Sequence, residues 1–310
     1  MLTYLQAIIL GLVQGVTELF PVSSLGHAVL IASLFNWTNL GGEITAKTST
    51  FLNLLVMVHV ATAIALVIFY WSTWVRIVKG FFRSLDLKAK KIMIGDDSDA
   101  KLAWLLIAGT IPAALFAFLL QHTIESIFGT AFFAIILIIV NGVMLIKGDK
   151  SVTRAELSRP RRRRNAEGAD ELVADKTARM VSDHLTIERA VLIGCAQIGA
   201  LFAGISRSGI TMLAGLRSGL DHQDAARFSF LLATPIIFLA GIYKLPDVLK
   251  HSGVYGGQIL VGSLLAGLGA YFSVRYLDKY FRGKSLKPFG YYCIGLGILV
   301  LLVSVIRGAS

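Results

Sequence analysis

A carboxylate, two adjacent hydroxyls and an imidazole crowd together near the N-terminus, in the run QGVTELFPVSSLGH (14–27), as Glu18, Ser23, Ser24 and His27. Of the nineteen acidic residues, Glu18 alone lies well inside an otherwise apolar segment. Placing an ionised group at membrane depth costs ~2.5 kcal/mol or more, so such a residue is read first as functional. Gln14 and Glu18 are spaced i, i+4 and share one helix face. Pro21 should end that helix, because its ring biases Phe20 away from helical geometry. A second half-helix then opens at PVSSLGH, with Ser23 or Ser24 as its cap. Helix N-termini offer free N–H groups and partial positive charge, which suits phosphate. His27 lies on the same turn as the serines, so Ser24 and His27 form a candidate nucleophile and base.

A second run, AGISRSGIT (203–211), supplies a permanent cation, Arg207, flanked by Ser206 and Ser208 and followed by Thr211. A guanidinium fork binds phosphate oxygens in pairs. Glu18 either pairs with Arg207 directly or holds a divalent cation, Mg2+ or Ca2+, against a diphosphate. One carboxylate is no metal cage, so the remaining ligands would come from water and substrate. The bland alternative is a structural Glu18–Arg207 ion pair with hydroxyls joining helices. Gln14, Ser23, Ser206, Ser208 and Thr211 are candidate substrate contacts. His59, in VHVATAIA, either lines the cavity with Thr62 or packs as an ordinary histidine.

These residues need elements to hold them, and the composition says where those elements reside. Hydrophobic residues make up 55% of the 310 and charged residues 16%, against roughly 25% charged in soluble domains. Apolar blocks at about 52–71, 102–120, 131–147, 228–245, 256–277 and 289–306 can each cross a hydrocarbon core of ~30 Å. Regions 5–35 and 190–220 are apolar but interrupted, and read as pairs of half-helices that enter the membrane and turn back. They also match one another. A shift of 183 sets GLVQGVTELFPVSSLG on GCAQIGALFAGISRSG without a gap, pairing Gly11, Gln14, Ser23 and Gly26 with Gly194, Gln197, Ser206 and Gly209. Paired interrupted segments in two halves point to an intramembrane binding site. The expectation is therefore an all-α polytopic membrane protein of inverted-topology repeats, with two re-entrant helical hairpins and about six spanning helices. It forms a single membrane domain over 1–310, with repeat one at about 1–147 and repeat two at about 189–306. Residues 148–188 form a polar cytoplasmic loop insert.

The net charge of +11 does not indicate nucleic acid, because 23 of the 30 Lys and Arg lie in 76–101, 147–189 and 275–287, between apolar blocks. Basic residues concentrated in short loops mark the cytoplasmic side. Loops 121–130 and 245–255, and the C-terminus, then face outward. The Arg run in 148–188 is read as a topology-fixing solvated loop rather than a lipid-binding patch. Cys195 and Cys293 sit in apolar surroundings without metal-ligand spacing. No Lys or Arg precedes Lys47, so the positive region of a signal peptide is missing.

With QGVTE (14–18), PVSSLGH (21–27) and GISRSGIT (204–211) in place, the chain resembles the undecaprenyl-diphosphatase family, the bacitracin-resistance-type membrane phosphatases. The resemblance covers the chain apart from 148–188. It implies removal of one phosphate from a C55 polyprenyl diphosphate in the cell membrane, with the active site open to the outer face. That would regenerate the lipid carrier of peptidoglycan synthesis, and bacitracin would compete for the same substrate. By resemblance Glu18 is the essential acid, Ser24 the proposed nucleophile, His27 the site histidine and Arg207 the phosphate-binding arginine. Leu25 replaces a frequent hydroxyl residue, and Ala203 replaces proline. The type-2 phosphatidic-acid phosphatases need a histidine six residues after their arginine; position 213 is Leu. A water activated by Glu18 or His27 remains an alternative to Ser24. The rival function is a flippase that carries the lipid phosphate uncleaved. Oligomeric state is left open.

Overall fold

The computed structural model describes residues 2–35, 37, 50–85, 97–128, 130–157, 181 and 184–308; side chains at 50, 120–128, 150–157 and 251–254 are excepted. Most of the 148–188 segment lies outside the described residues. The described residues form helices and no strand: α1 (Tyr4–Thr17), α2 (Ser24–Leu34), α3 (Thr50–Phe69), α4 (Trp71–Leu85), α5 (Ser98–Phe128), α6 (Ala131–Leu157), α7 (Ile187–Ile198), α8 (Arg207–Arg217), α9 (His222–Tyr280) and α10 (Lys287–Ile306), with a 3-10 turn at Gly199–Leu201. Among the described residues six stretches are long and apolar enough to cross a membrane: Phe51–Phe69, Ser98–Leu119, Ala131–Asp149, His222–Lys250, Tyr255–Tyr280 and Lys287–Ile306. They coincide with the six expected blocks. The chain is an all-α, multi-pass membrane protein.

The two interrupted regions fold into matching pairs. Shifting α2 by 183 residues gives the bounds of α8, and shifting Tyr4 gives Ile187, the start of α7. The caps match as well. Thr3 accepts from Gln6 N and Thr186 from Arg189 N; Ser23 accepts from Gly26 N and Ser206 from Gly209 N. Each such cap stabilises a helix start by ~1 kcal/mol, and the spacing of cap residues sets where all four short helices begin.

The same register governs their seating. A Cβ on Gly11 would strike the backbone carbonyl of Gly262 in α9, and one on the equivalent Gly194 would strike that of Gly109 in α5. Each short pair is thus pressed backbone-to-backbone against a long helix at one matched position.

The 59 residues of α9 are helical, but Pro235 and Pro246 inside it donate no backbone hydrogen bond, and the helix is not straight. Arg227 Nε lies 2.6 Å from Asp278 Oδ1 and Nη2 lies 3.2 Å from Oδ2. Fifty-one residues of straight helix would separate them by ~77 Å. So α9 doubles back, and its two arms are the spans His222–Lys250 and Tyr255–Tyr280. Both arms serve the core around the site. Phe228, Leu231, Ala270 and Val274 join Leu19, Met212 and Leu213 in one buried cluster, while Ile259 and Ala266 join Leu10, Ala28 and Leu54 in another.

Candidate active site

The turns 18–23 and 199–206 meet, and what joins them is polar. Ser23 Oγ accepts from Gly26 N at 3.3 Å and also from Gly204 N of the other turn at 3.1 Å. Ser208 Oγ donates to Phe20 O at 3.1 Å. Asn141, fully buried on α6, spans both: its Nδ2 donates to Pro21 O at 3.1 Å and its Oδ1 accepts from Ser206 N at 3.0 Å. Sequence reading passed over Asn141, although an amide inside the apolar run AIILIIVNGVMLI was a visible signal. Ser23 is the one non-glycine residue with positive φ among those described, at φ 69°. Such a conformation is sparsely populated and persists where surrounding bonds over-determine it. Here those bonds are the two to its hydroxyl and one from His27 N to its carbonyl.

Glu18, the C-cap of α1, is the hub of the site and only 6% exposed. Its Oε1 accepts from Arg207 Nη2 at 2.7 Å. Its Oε2 accepts from Gln14 Nε2 at 2.9 Å and from Ser24 Oγ at 2.5 Å, and lies 3.2 Å from His59 Nε2. Ser24 and Arg207 are the first residues of α2 and α8, so two helix N-termini flank the carboxylate. Buried charges persist only when paired and hydrogen-bonded, and Glu18 satisfies both conditions. Arg207 does so on one side only: Nη1 is buried without a protein partner, as is Gln14 Oε1.

The other expected residues fall into two groups. Ser206 and Ser208 share a hydroxyl contact of 3.0 Å beside the Arg207 backbone. Thr211 Oγ1 donates to Arg207 O at 2.7 Å and meets Ser229 Oγ at 2.6 Å, so it braces α8 against α9 rather than facing Glu18. His27 departs from the expected pairing. Its Nδ1 bonds Ser23 O at 2.7 Å and its Nε2 meets Tyr292 Oη at 2.9 Å, with the two rings stacked. The Ser24 hydroxyl therefore donates its hydrogen bond to Glu18 and not to His27. A carbonyl can only accept, so Nδ1 carries the proton, and Nε2 accepts from Tyr292. No spacing in the sequence foretells Tyr292, which lies 265 residues from His27.

A divalent cation fits this donor set poorly. Both Glu18 oxygens are engaged by Arg207, Gln14, Ser24 and His59. Among the described residues no three His, Cys, Asp or Glu side chains come together as a metal site.

A multi-pass membrane protein in which two helical pairs bring a carboxylate, a serine at a helix start and a half-committed arginine together is built for phosphate chemistry. The family comparison agrees: a model described as bacitracin resistance protein BacA matches residues 7–299, and the chain belongs to that family. It is 45% identical, over 96% of its length and 95% of the relative's, to a Mycolicibacterium paratuberculosis protein named undecaprenyl-diphosphatase. It is 40% identical to the undecaprenyl-diphosphatase 2 of Frankia alni, covering 96% of this chain and 97% of that one. The Burkholderia thailandensis undecaprenyl-diphosphatase 2 is likewise 40% identical, over 95% and 94%.

Proposed function

We propose that this protein hydrolyses undecaprenyl diphosphate, or a similar polyprenyl diphosphate, to the monophosphate and inorganic phosphate. The observation that carries the reading is Arg207, the first residue of α8, with Nη2 fixed on the carboxylate that also takes Ser24 and with Nη1 buried and unpaired. Such a guanidinium is suited to hold a phosphoryl group. Family membership and the relatives' names support the substrate class.

In this reading the helical pairs α1–α2 and α7–α8 are re-entrant, belong to inverted repeats, and carry the site within the cell membrane, open to the outer face. The prenyl chain stays in lipid while the terminal phosphate takes Arg207 Nη1. Ser24 Oγ attacks the terminal phosphorus and its proton passes to Glu18 Oε2, the base within reach. The bridging P–O bond breaks, and its electron pair leaves on the lipid monophosphate. Water then attacks the phosphoserine, the proton held on Glu18 returns to the departing Ser24 Oγ, and phosphate leaves carrying the water's oxygen. Most of the rate should come from electrostatic stabilisation of the transferring group. Any Mg2+ or Ca2+ would arrive with the diphosphate, and no step above is routed through it. The activity would return the lipid carrier to cell-wall synthesis, and bacitracin would oppose it by claiming the same lipid diphosphate.

The test is phosphate release from a polyprenyl diphosphate by purified protein in detergent. Wild type should release phosphate, and Glu18→Gln and Arg207→Ala should release it about a thousandfold more slowly. A brief quench should trap phosphate on Ser24. Full activity in Ser24→Ala would remove the covalent step, leaving a water activated by Glu18. No release from monodisperse wild type, alongside lipid-phosphate translocation in vesicles, would overturn the reading.

A further inference from the structure

The hydrolytic reading uses Glu18, Ser24 and Arg207, but one further side chain reaches the same carboxylate from a third element. His59, on α3, has Nδ1 2.6 Å from Leu55 O, an oxygen that can only accept. Nδ1 therefore carries a proton. Its Nε2 lies 3.2 Å from Glu18 Oε2, a carboxylate oxygen that accepts from Ser24 and Gln14 as well. A neutral ring with its Nε2 lone pair turned on that oxygen would be repelled, so the favourable arrangement has a proton on both nitrogens. The charged groups facing the ring are Glu18 from the first turn and Arg207 from α8; Ser24 of α2 and Gln14 of α1 add neutral donors through Glu18. The contact gives one carboxylate two cationic partners, leaving the cluster with net positive charge where an anionic headgroup must settle.

We infer that His59 is a positioning residue for Glu18: its Nε2–H, with Gln14 Nε2, brackets Oε2 and keeps it aligned on Ser24 Oγ. The assignment rests on the hydrolytic reading. It adds α3 to the site, and a role that neither the spacing of the two motifs nor the Glu18–Arg207 pair requires. A histidine that merely packed α3 could point Nε2 anywhere polar. This one directs it to the atom that takes the nucleophile's proton.

The experiment combines rescue with a double-mutant cycle. His59→Leu should lower kcat about a hundredfold, the scale of a misplaced general base, with KM little changed because Arg207 Nη1 is untouched. His59→Gln, which keeps an N–H donor, should recover most of the loss. In a Glu18→Gln background His59→Leu should cost nothing further, because His59 acts through Glu18. Wild-type kcat in His59→Leu, equal damage from Gln and Leu, or an undiminished penalty in the Glu18→Gln background would each overturn the inference. A second measurement needs neither catalysis nor a folded Leu variant. In 15N spectra of histidine-labelled protein, one ring should show both nitrogens protonated, vanish from that class in His59→Gln, and change in Glu18→Gln. Absence of such a ring in wild type would equally overturn it. Wild type without phosphatase activity but with that ring would sink the hydrolytic reading and leave the His59–Glu18 contact standing.

Discussion

The two turns at the centre of the molecule share a frame and divide the labour. Position for position, Ser24 corresponds to Arg207, Pro21 to Gly204 and Glu18 to Leu201. In the proposed mechanism the first turn thus carries the base and the nucleophile, and the second carries the cation. Their backbones differ accordingly: Ser23 caps α2 at φ 69°, whereas Ser206 caps α8 from an ordinary extended φ of −83°. In the second turn the positive φ falls on Gly204, at 111°, where it costs little. The paired glutamines diverge in the same way. Gln14 donates to Glu18, while Gln197 donates to Gly109 O at 3.0 Å and fastens α7 to α5. The two pairs share a scaffold: the second supplies the cation to the common site and, through Gln197, an anchor to α5.

The largest effects should come from the residues the turns do not share. Arg207→Ala should lower kcat/KM by about a thousandfold or more, the scale of losing a preorganised phosphate donor. Ser208→Ala, one residue on, should cost far less, because its hydroxyl reaches Ser206 and the Phe20 carbonyl rather than Glu18. Equal losses in a phosphate-release assay would erase the proposed division.

The glutamines come next. Gln14→Ala should lower kcat roughly tenfold and leave the melting temperature nearly unchanged, since it removes one ~1 kcal/mol hydrogen bond to the reacting carboxylate. Gln197→Ala should do the reverse, lowering the melting temperature while each folded molecule keeps its activity. Thermal unfolding and kinetics on the same two preparations decide the matter.

The smallest contrast lies in the caps. Ser23→Ala should destabilise more than Ser206→Ala, by about 1 kcal/mol. Alanine at 23 keeps the unfavourable φ and loses acceptors for both Gly26 N and Gly204 N; alanine at 206 loses the cap and one hydroxyl contact. Comparable melting temperatures would mean the strain at Ser23 has no energetic weight.

Much of this was legible beforehand, for physical reasons. The spans follow from apolar length, and the interrupted regions from polar residues and Pro21 inside apolar runs. The half-helix starts follow from Ser23 and Ser206, and the Glu18–Arg207 meeting was one of two arrangements their charges allowed. What escaped was set by tertiary contacts that local spacing does not fix. Local spacing put His27 beside Ser24, but the ring turns to Tyr292 on α10, and Ser24 turns to Glu18. Asn141 reaches across to both turns, and no periodicity encodes which carbonyl a buried amide will find. His59 could be read either way until α3 was placed against the first turn.

Asn141 also bears on how lipid can be handled here. Prising the two turns apart, as a carrier exposing its cargo first to one leaflet and then to the other would have to do, would sever at least one of the amide bonds together with Ser23–Gly204, Ser208–Phe20 and Glu18–Arg207. At least four polar links would be lost at once in a low-dielectric interior. In the proposed reading a headgroup that reaches this centre meets turns that are tied to one another, and the partner that adjusts is the lipid.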